Sequence, residues 1–308
     1  MKHFIKFIVP LFMVSCSNFV SDCDNTATQE EASPIFHATI EQAEEARTFL
    51  DENIRLRWTA DDRITLFEGT TRNKQFKFLG ETGDNAGDFD YVKAGFGTGN
   101  DVERYYAIYP YAATNKLHED GYITYTLPAT QAYAAGSVGL GANVMVAITA
   151  DLDDYDLAFR NVGSYLLVKL YGIDQTVGSI SVTAIGGEKL SGKSYITPIY
   201  GGVPTIEMLD GNATVSLNCG EGVSIGATQE IATPFWIVLP PFTASQGIWV
   251  TVNGFYGGSQ TYEITGEIAF NRNKYKTLTR ELSISSNGTG MGVGGWDNDG
   301  EDYGGSAD

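Results

Sequence analysis

The sequence predicts an all-β protein made of two β-sandwiches, and three observations carry that expectation. Glycine is abundant, at 36 of 308 residues, and it punctuates short segments rich in Val, Ile, Tyr, Phe and Thr, as antiparallel strands joined by turns require. In the second half apolar and polar residues alternate: Leu166, Val168 and Leu170, then Ile180, Val182 and Ala184, then Ile248, Val250 and Val252. Alternation of this kind buries one face of a sheet and wets the other. Helical spacing is confined to segment 40–50, where Glu41, Glu44 and Glu45 crowd together.

The first element is a leader. Lys2 and Lys6 flank the start, an apolar run extends from Phe7 to Val14, and small Ser15 precedes Cys16, the form of a bacterial lipoprotein signal. The run is too short to span a bilayer, which takes about 20 apolar residues. Lipidation at Cys16 would leave a soluble body tethered to the outer membrane, with small, polar residues at 16–32 as a flexible stalk. What remains after the leader, about 290 residues, suffices for two domains of ordinary size.

Strands are expected at 63–67, 75–78, 104–109, 122–127 and 144–148, with Pro110 and Pro128 closing two of them. The acidic segment 151–156 and the stretch 159–163 mark the passage to the second half. The expected division is a signal peptide at 1–15, a stalk at 16–32, sandwiches at 33–158 and 159–285, and a Gly- and Asp-rich tail at 286–308. No Pro- or Ser-rich linker separates the halves, so they should pack closely. The run 235–239 is apolar throughout and stopped by Pro240 and Pro241, which reads as a strand buried on both faces. A last strand follows at 275–284. In the tail only Met291, Val293 and Trp296 offer alternating apolar residues, and their glycine neighbours weaken strand formation.

Composition narrows the function. Lys and Arg total 20 against 38 Asp and Glu, a net charge of −18, whose field repels phosphate backbones and argues against nucleic acid as a partner. Three cysteines are too few for a disulfide scaffold, and Cys219 shares an alternating face with Val215 and Leu217, as a buried thiol would. Of the histidines, His3 lies in the leader, His37 in a candidate first strand and His118 in a polar turn; none adjoins a Gly-x-Ser-x-Gly elbow, so no catalytic residue is expected. Cysteine and histidine are too sparse for zinc. The densest acidic clusters, 151–156 and 297–302, lack the distal Glu of a calcium loop, so neither a metal nor a cofactor is expected.

Several segments in order resemble the fimbrillin family of Bacteroidetes. Trp58-Thr-Ala-Asp-Asp-Arg-Ile-Thr-Leu-Phe67 is similar to that family's Trp, turn and apolar strand, and the loop at 80–89 to its next loop. Tyr106-Ala-Ile-Tyr-Pro-Tyr111 is similar to its "YAxYPY" segment and Leu127-Pro-Ala-Thr-Gln-Ala-Tyr133 to its "LPAxQxY" segment. Met145-Val-Ala147, Phe159-Arg-Asn-Val162 and Phe235-Trp-Ile-Val-Leu-Pro-Pro241 continue the likeness, which covers roughly 36–282. The resemblance implies two tandem transthyretin-like Greek-key sandwiches and a subunit of a type V-like fimbria acting in cell adhesion. It also implies export as a lipoprotein, cleavage after an N-terminal arginine, and assembly with other fimbrial subunits by β-strand complementation. On that pattern Ser33–Ile40 holds the removable strand, with Phe36, Ala38 and Ile40 on one face, and Arg47 is the cut site. Arg55 and Arg57 suit a cut less well because they run directly into Trp58.

A second reading, from composition, is a monomeric glycan-binding lipoprotein of the outer membrane. In it Tyr105, Tyr109, Trp249, Tyr256 and Trp296 are the candidates to stack on sugar rings of a host or bacterial surface, against a core role, which is the favoured reading for most of them.

Overall fold

The computed structural model describes residues 33–41, 56–70, 72–93, 102–285 and 289–293. In the first half the strands are β1 (Phe36–Ile40), β2 (Arg63–Phe67), β3 (Asn73–Phe78), β4 (Ala86–Tyr91), β5 (Tyr106–Tyr109), β6 (Lys116–Leu117), β7 (Ile123–Leu127), β8 (Thr130–Ala132), β9 (Met145–Ile148) and β10 (Asp156–Asn161). The second half supplies β11 (Ser164–Tyr171), β12 (Thr176–Ala184), β13 (Gly192–Thr197), β14 (Thr205–Met208), β15 (Thr214–Ser224) and β16 (Thr233–Leu239). It ends with β17 (Phe242–Ala244), β18 (Gly247–Gly254), β19 (Ser259–Thr265), β20 (Ile268–Phe270), β21 (Tyr275–Glu281) and β22 (Thr289–Val293). Among the described residues the one helical element is a 3-10 turn at Gln229–Ile231, so the chain is all-β. Ile40 closes a strand, which removes the first position of the helical reading of 40–50.

The N-terminal sheet closes on itself in the order β1-β10-β9-β5-β2-β3-β4. Its neighbours are antiparallel except for β1, which runs parallel to β10 and antiparallel to β4. Large apolar side chains fill the interior: Phe36, Phe76, Phe78 and Phe89 are fully buried, and Trp58 meets Phe89, Tyr109 and Phe159 edge-on at centroid distances of 5.0, 5.5 and 5.4 Å. Such edge-to-face pairs exploit the positive rim and negative face of the rings. The outer face of β2, β5 and β9 is also covered. There Phe67, Ile108 and Val146 pack with Ile123, Leu127 and Ile196 of a second sheet, ordered β14-β13-β7-β6.

That second sheet joins the halves, because β7 pairs with β13 from far down the chain. A similar crossing occurs at β8, which runs parallel to the long β15 at the edge of a sheet ordered β22-β19-β18-β12-β15-β8. Against this sheet packs β16-β11-β21, and between the two lies a core of Leu166, Val168, Ile180, Val182, Val250 and Ile237. The alternation read in 166–170, 180–184 and 248–252 thus selects the inward face. The run 235–239 is buried on both faces: Phe235, Ile237 and Leu239 enter this core, whereas Trp236 and Val238 meet Ala142, Tyr165 and Leu167 on the other side.

Polar bonds hold the junction. The buried Gln131 side chain donates to the Val238 carbonyl at 2.7 Å and accepts from the Val238 N–H at 2.9 Å. Tyr165 donates its hydroxyl to Asn143 at 3.0 Å, and Asn161 donates to Asn273 at 3.2 Å. The chain leaves the barrel at Asn161 and enters the second half at Ser164.

Candidate functional site

Closure of the barrel depends on β1, so the site is built around that strand. Its sequence Phe-His-Ala-Thr-Ile alternates strictly, and the burial follows: Phe36, Ala38 and Ile40 are inside, His37 and Thr39 outside. Phe36 meets Phe76, Tyr105 and Tyr155 edge-on at 5.3, 4.9 and 5.4 Å. Ala38 lies opposite Gly87 of β4, and the Phe78 ring stands 2.7 Å from where a Cβ on Gly87 would be. The middle of the seat is therefore tight. Glycine at position 87 leaves room for the ring, and the residue facing it on β1 is the small Ala38.

Backbone pairing is equally complete. His37 pairs with Asp156 on one side and Asp88 on the other, and Ala38 with Leu157 and Gly87. The His37 N–H donates to Tyr155 O at 3.0 Å, that of Ile40 to Asn85 O at 3.0 Å and that of Glu41 to Phe159 O at 2.8 Å. Outside the barrel the His37 ring contacts the Asp88 carboxylate at 3.0 Å, an exposed pair that adds little. Taking β1 away would unpair the facing edges of β4 and β10 and open the aromatic interior to water, a state that another strand relieves.

Directly after β1, Glu41 meets the second half of the chain. Arg272 donates from Nη1 to Glu41 Oε2 at 2.7 Å and from Nη2 to Oε1 at 3.0 Å, a two-pronged contact. Nη1 also donates to the Asn161 carbonyl at 2.7 Å, while the Asn161 N–H donates to Glu41 Oε2 at 3.1 Å. Arg160 stands 3.8 Å away on the far oxygen. Arg272 occupies the turn between β20 and β21, which Asn273 completes with a left-handed φ of 58° and anchors through its N–H to Gly163 O at 2.8 Å.

Of the residues expected to act, Phe36, Ala38 and Ile40 come together as one buried face. Cys16, Arg47 and Arg55, with the signal peptide and stalk, lie outside the described residues, as do Cys23, Trp296 and the acidic cluster at 297–302. Arg57 is exposed, but its successor Trp58 is buried and hydrogen-bonded through its backbone N–H to Asp84 O at 2.7 Å. The expectation that Tyr105 and Tyr109 present rings to sugars is overturned: they are 2% and 8% exposed and belong to the barrel core. Trp249 and Tyr256 are exposed, at 39% and 78%.

Groups with chemical potential elsewhere have structural partners. The buried carboxylate of Asp62 accepts from the Thr59 N–H at 2.7 Å and the Tyr109 hydroxyl at 3.1 Å; burial raises its pKa. Glu68 accepts from Arg72 at 2.9 Å with Lys74 at 3.6 Å. Cys219 packs in the second core, where desolvation pushes its thiol up to about 11. His118 stacks on Tyr122 at 4.2 Å in its turn. The acidic stretch uses its carboxylates on its own backbone: Asp154 accepts from the N–H groups of Ala150 and Asp156 at 2.8 and 2.9 Å. Among the described residues no group of three or more His, Cys, Asp or Glu side chains is placed to hold a metal ion.

Neither protein-family models nor curated proteins give a match to this chain. Among solved structures it is similar to a candidate cell adhesion protein from Bacteroides ovatus, at 15% identity and a TM-score of 0.48, over 82% of this chain and 95% of that one. A candidate cell adhesion protein from Bacteroides uniformis gives 16% identity and a TM-score of 0.46, covering 73% and 88%. The tip fimbrial protein Mfa3 from Porphyromonas gingivalis, truncated at its C-terminus, gives 8% and 0.32, covering 82% and 96%.

Proposed function

We propose that this protein is a fimbrillin-like surface lipoprotein, a structural or accessory subunit of a type V-like fimbria acting in cell adhesion. It is held at the outer membrane by lipid on Cys16. Arginine-specific cleavage after Arg47 frees β1 from the chain, and a strand from another subunit takes its seat. The protein is not an enzyme in this reading. Its work is done by sheet edges.

The observation that carries the reading is the place of β1: a five-residue strand, followed by the segment that holds Arg47, completes the barrel by itself. Its apolar face is a peg of large, small and large side chains, and its backbone is paired on both edges. That is the form of a replaceable insert in strand complementation. The order of motifs between Trp58 and Pro241 and the leader ending on Cys16 support the same reading.

Digestion of the purified protein with an arginine-specific protease tests it. The new N-terminus should be Thr48, and Arg47→Gln should abolish the cut. On cells, deletion of the gene should remove filaments seen by electron microscopy. A product starting elsewhere removes the processing step, and unchanged filaments remove the fimbrial role.

A further inference from the structure

We infer that the end of the β1 seat is a carboxylate-reading site, formed by Arg272 with the Asn161 N–H and Arg160, which selects the strand that replaces β1. This rests on the strand-exchange reading above. The occupant it specifies is an extended segment of a second subunit, with a large apolar, a small and a large apolar residue at alternate positions and an Asp or Glu immediately after them.

The resident strand is the template for that pattern. Phe36 fills the slot among Phe76, Tyr105 and Tyr155, Ala38 the fully buried place opposite Gly87, and Ile40 the last buried position. Glu41 then leaves the barrel and meets both prongs of the Arg272 guanidinium, with side-chain exposures of 14% for Glu41 and 16% for Arg272. When β1 departs, Glu41 departs with it. Arg272 keeps its bond to the Asn161 carbonyl but loses its counter-ion, as does Arg160. A newcomer that returns a carboxylate restores the two-pronged charged hydrogen bonds, and is favoured over one that brings an amide or an amine. The apolar slots alone cannot make that distinction, since many strands alternate.

The site also ties occupancy of the barrel to the second half of the molecule. Arg272 belongs to the turn ahead of β21, and its partner in sequence, Glu41, is 231 residues away. The Asn161 amide and the Asn273 side chain bond across the same junction at 3.2 Å.

Exchange into a nicked full-length chain tests the inference. A specific protease site placed within 42–55 is cut, and uptake of a fluorescent peptide with the sequence of residues 33–41 is followed by anisotropy, beside the same peptide carrying Glu41→Gln. The Glu peptide should enter and hold about 10- to 100-fold more tightly than the Gln peptide, the range for hydrogen bonds to charged groups. On Arg272→Gln protein the two should bind alike, at the level of the Gln peptide; on Arg272→Lys protein the difference should shrink without vanishing. Equal binding to unaltered protein overturns the carboxylate site and leaves strand exchange standing. Uptake of neither peptide overturns strand exchange and this inference with it. Should Arg272→Gln fail to fold, the two peptides on unaltered protein still decide.

Discussion

Phe36→Ala is the substitution that most directly tests whether β1 is held by its side chains. Phe36 is completely buried and makes edge-on contacts with three rings at 5.3, 4.9 and 5.4 Å. Truncating a buried phenylalanine costs about 3–5 kcal/mol, ring contacts included. A domain is stable by about 5–15 kcal/mol, so the uncut variant should still fold, with its urea midpoint clearly lowered. In a chain nicked within 42–55, β1 is held without a covalent link, and the same loss weakens its retention by about 100- to 1000-fold or more. On gel filtration the N-terminal fragment should co-elute with the nicked unaltered protein and separate from the nicked variant. Thr39→Ala, on the outer face of the same strand, should stay within about 0.5 kcal/mol of the parent. A loss below about 1 kcal/mol for Phe36→Ala, or a retained fragment, would refute the argument that the aromatic seat holds the strand.

Three further outcomes are expected. Gln131→Ala removes both hydrogen bonds to the Val238 backbone and leaves two buried groups unpaired, which should cost about 2–5 kcal/mol in a denaturant titration; a change under 1 kcal/mol would show that water or a neighbour replaces them. With its thiol raised to about 11, Cys219 should resist alkylation at pH 8 in the folded protein and react in denaturant, as read by peptide mapping. Burial, then Lys116 and Lys193, lowers the pKa of His118 below 6.5, with Asp120 opposing. Its neutral form is therefore favoured by folding, and the small stabilisation it gives is present above pH 6.5 and lost as pH falls through the lowered value. An NMR titration placing His118 at or above 6.5 would contradict this, and His118→Gln should remove that part of the pH slope.

Much of the fold was legible because local pattern and burial agree. The alternation of Leu166, Val168 and Leu170 and of Ile248, Val250 and Val252 marks the inward face, and the unbroken run 235–239 marks a strand between two cores. Closure of the first sheet was not legible, since pairing of β1 with β4 and β10 is long-range and no local residue specifies a partner. The same holds for β7 with β13 and β8 with β15, which tie early strands into sheets with later ones. Tyr105 and Tyr109 carry no local mark of their burial: their rings lie in the core of the closed barrel, whereas Tyr106 between them in sequence is only partly buried. Of the candidate site, the face of Phe36, Ala38 and Ile40 was visible as alternation. Glu41 and Arg272 were not: a single acid and a single base far apart in sequence carry no spacing signal, and Glu41 read instead as one member of an acidic helical cluster.

The mixed pairing of β1, parallel to β10 and antiparallel to β4, gives its seat a sense of travel. A segment threaded backwards would meet both edges with the wrong hydrogen-bond spacing and would carry its acid to the end remote from Arg272. Under the proposed strand exchange, units joined through such a seat would line up nose to tail, each facing the same way. A fibre built in that way would have two unlike ends, so that lengthening at one and attachment at the other would be separate events, each open to its own control.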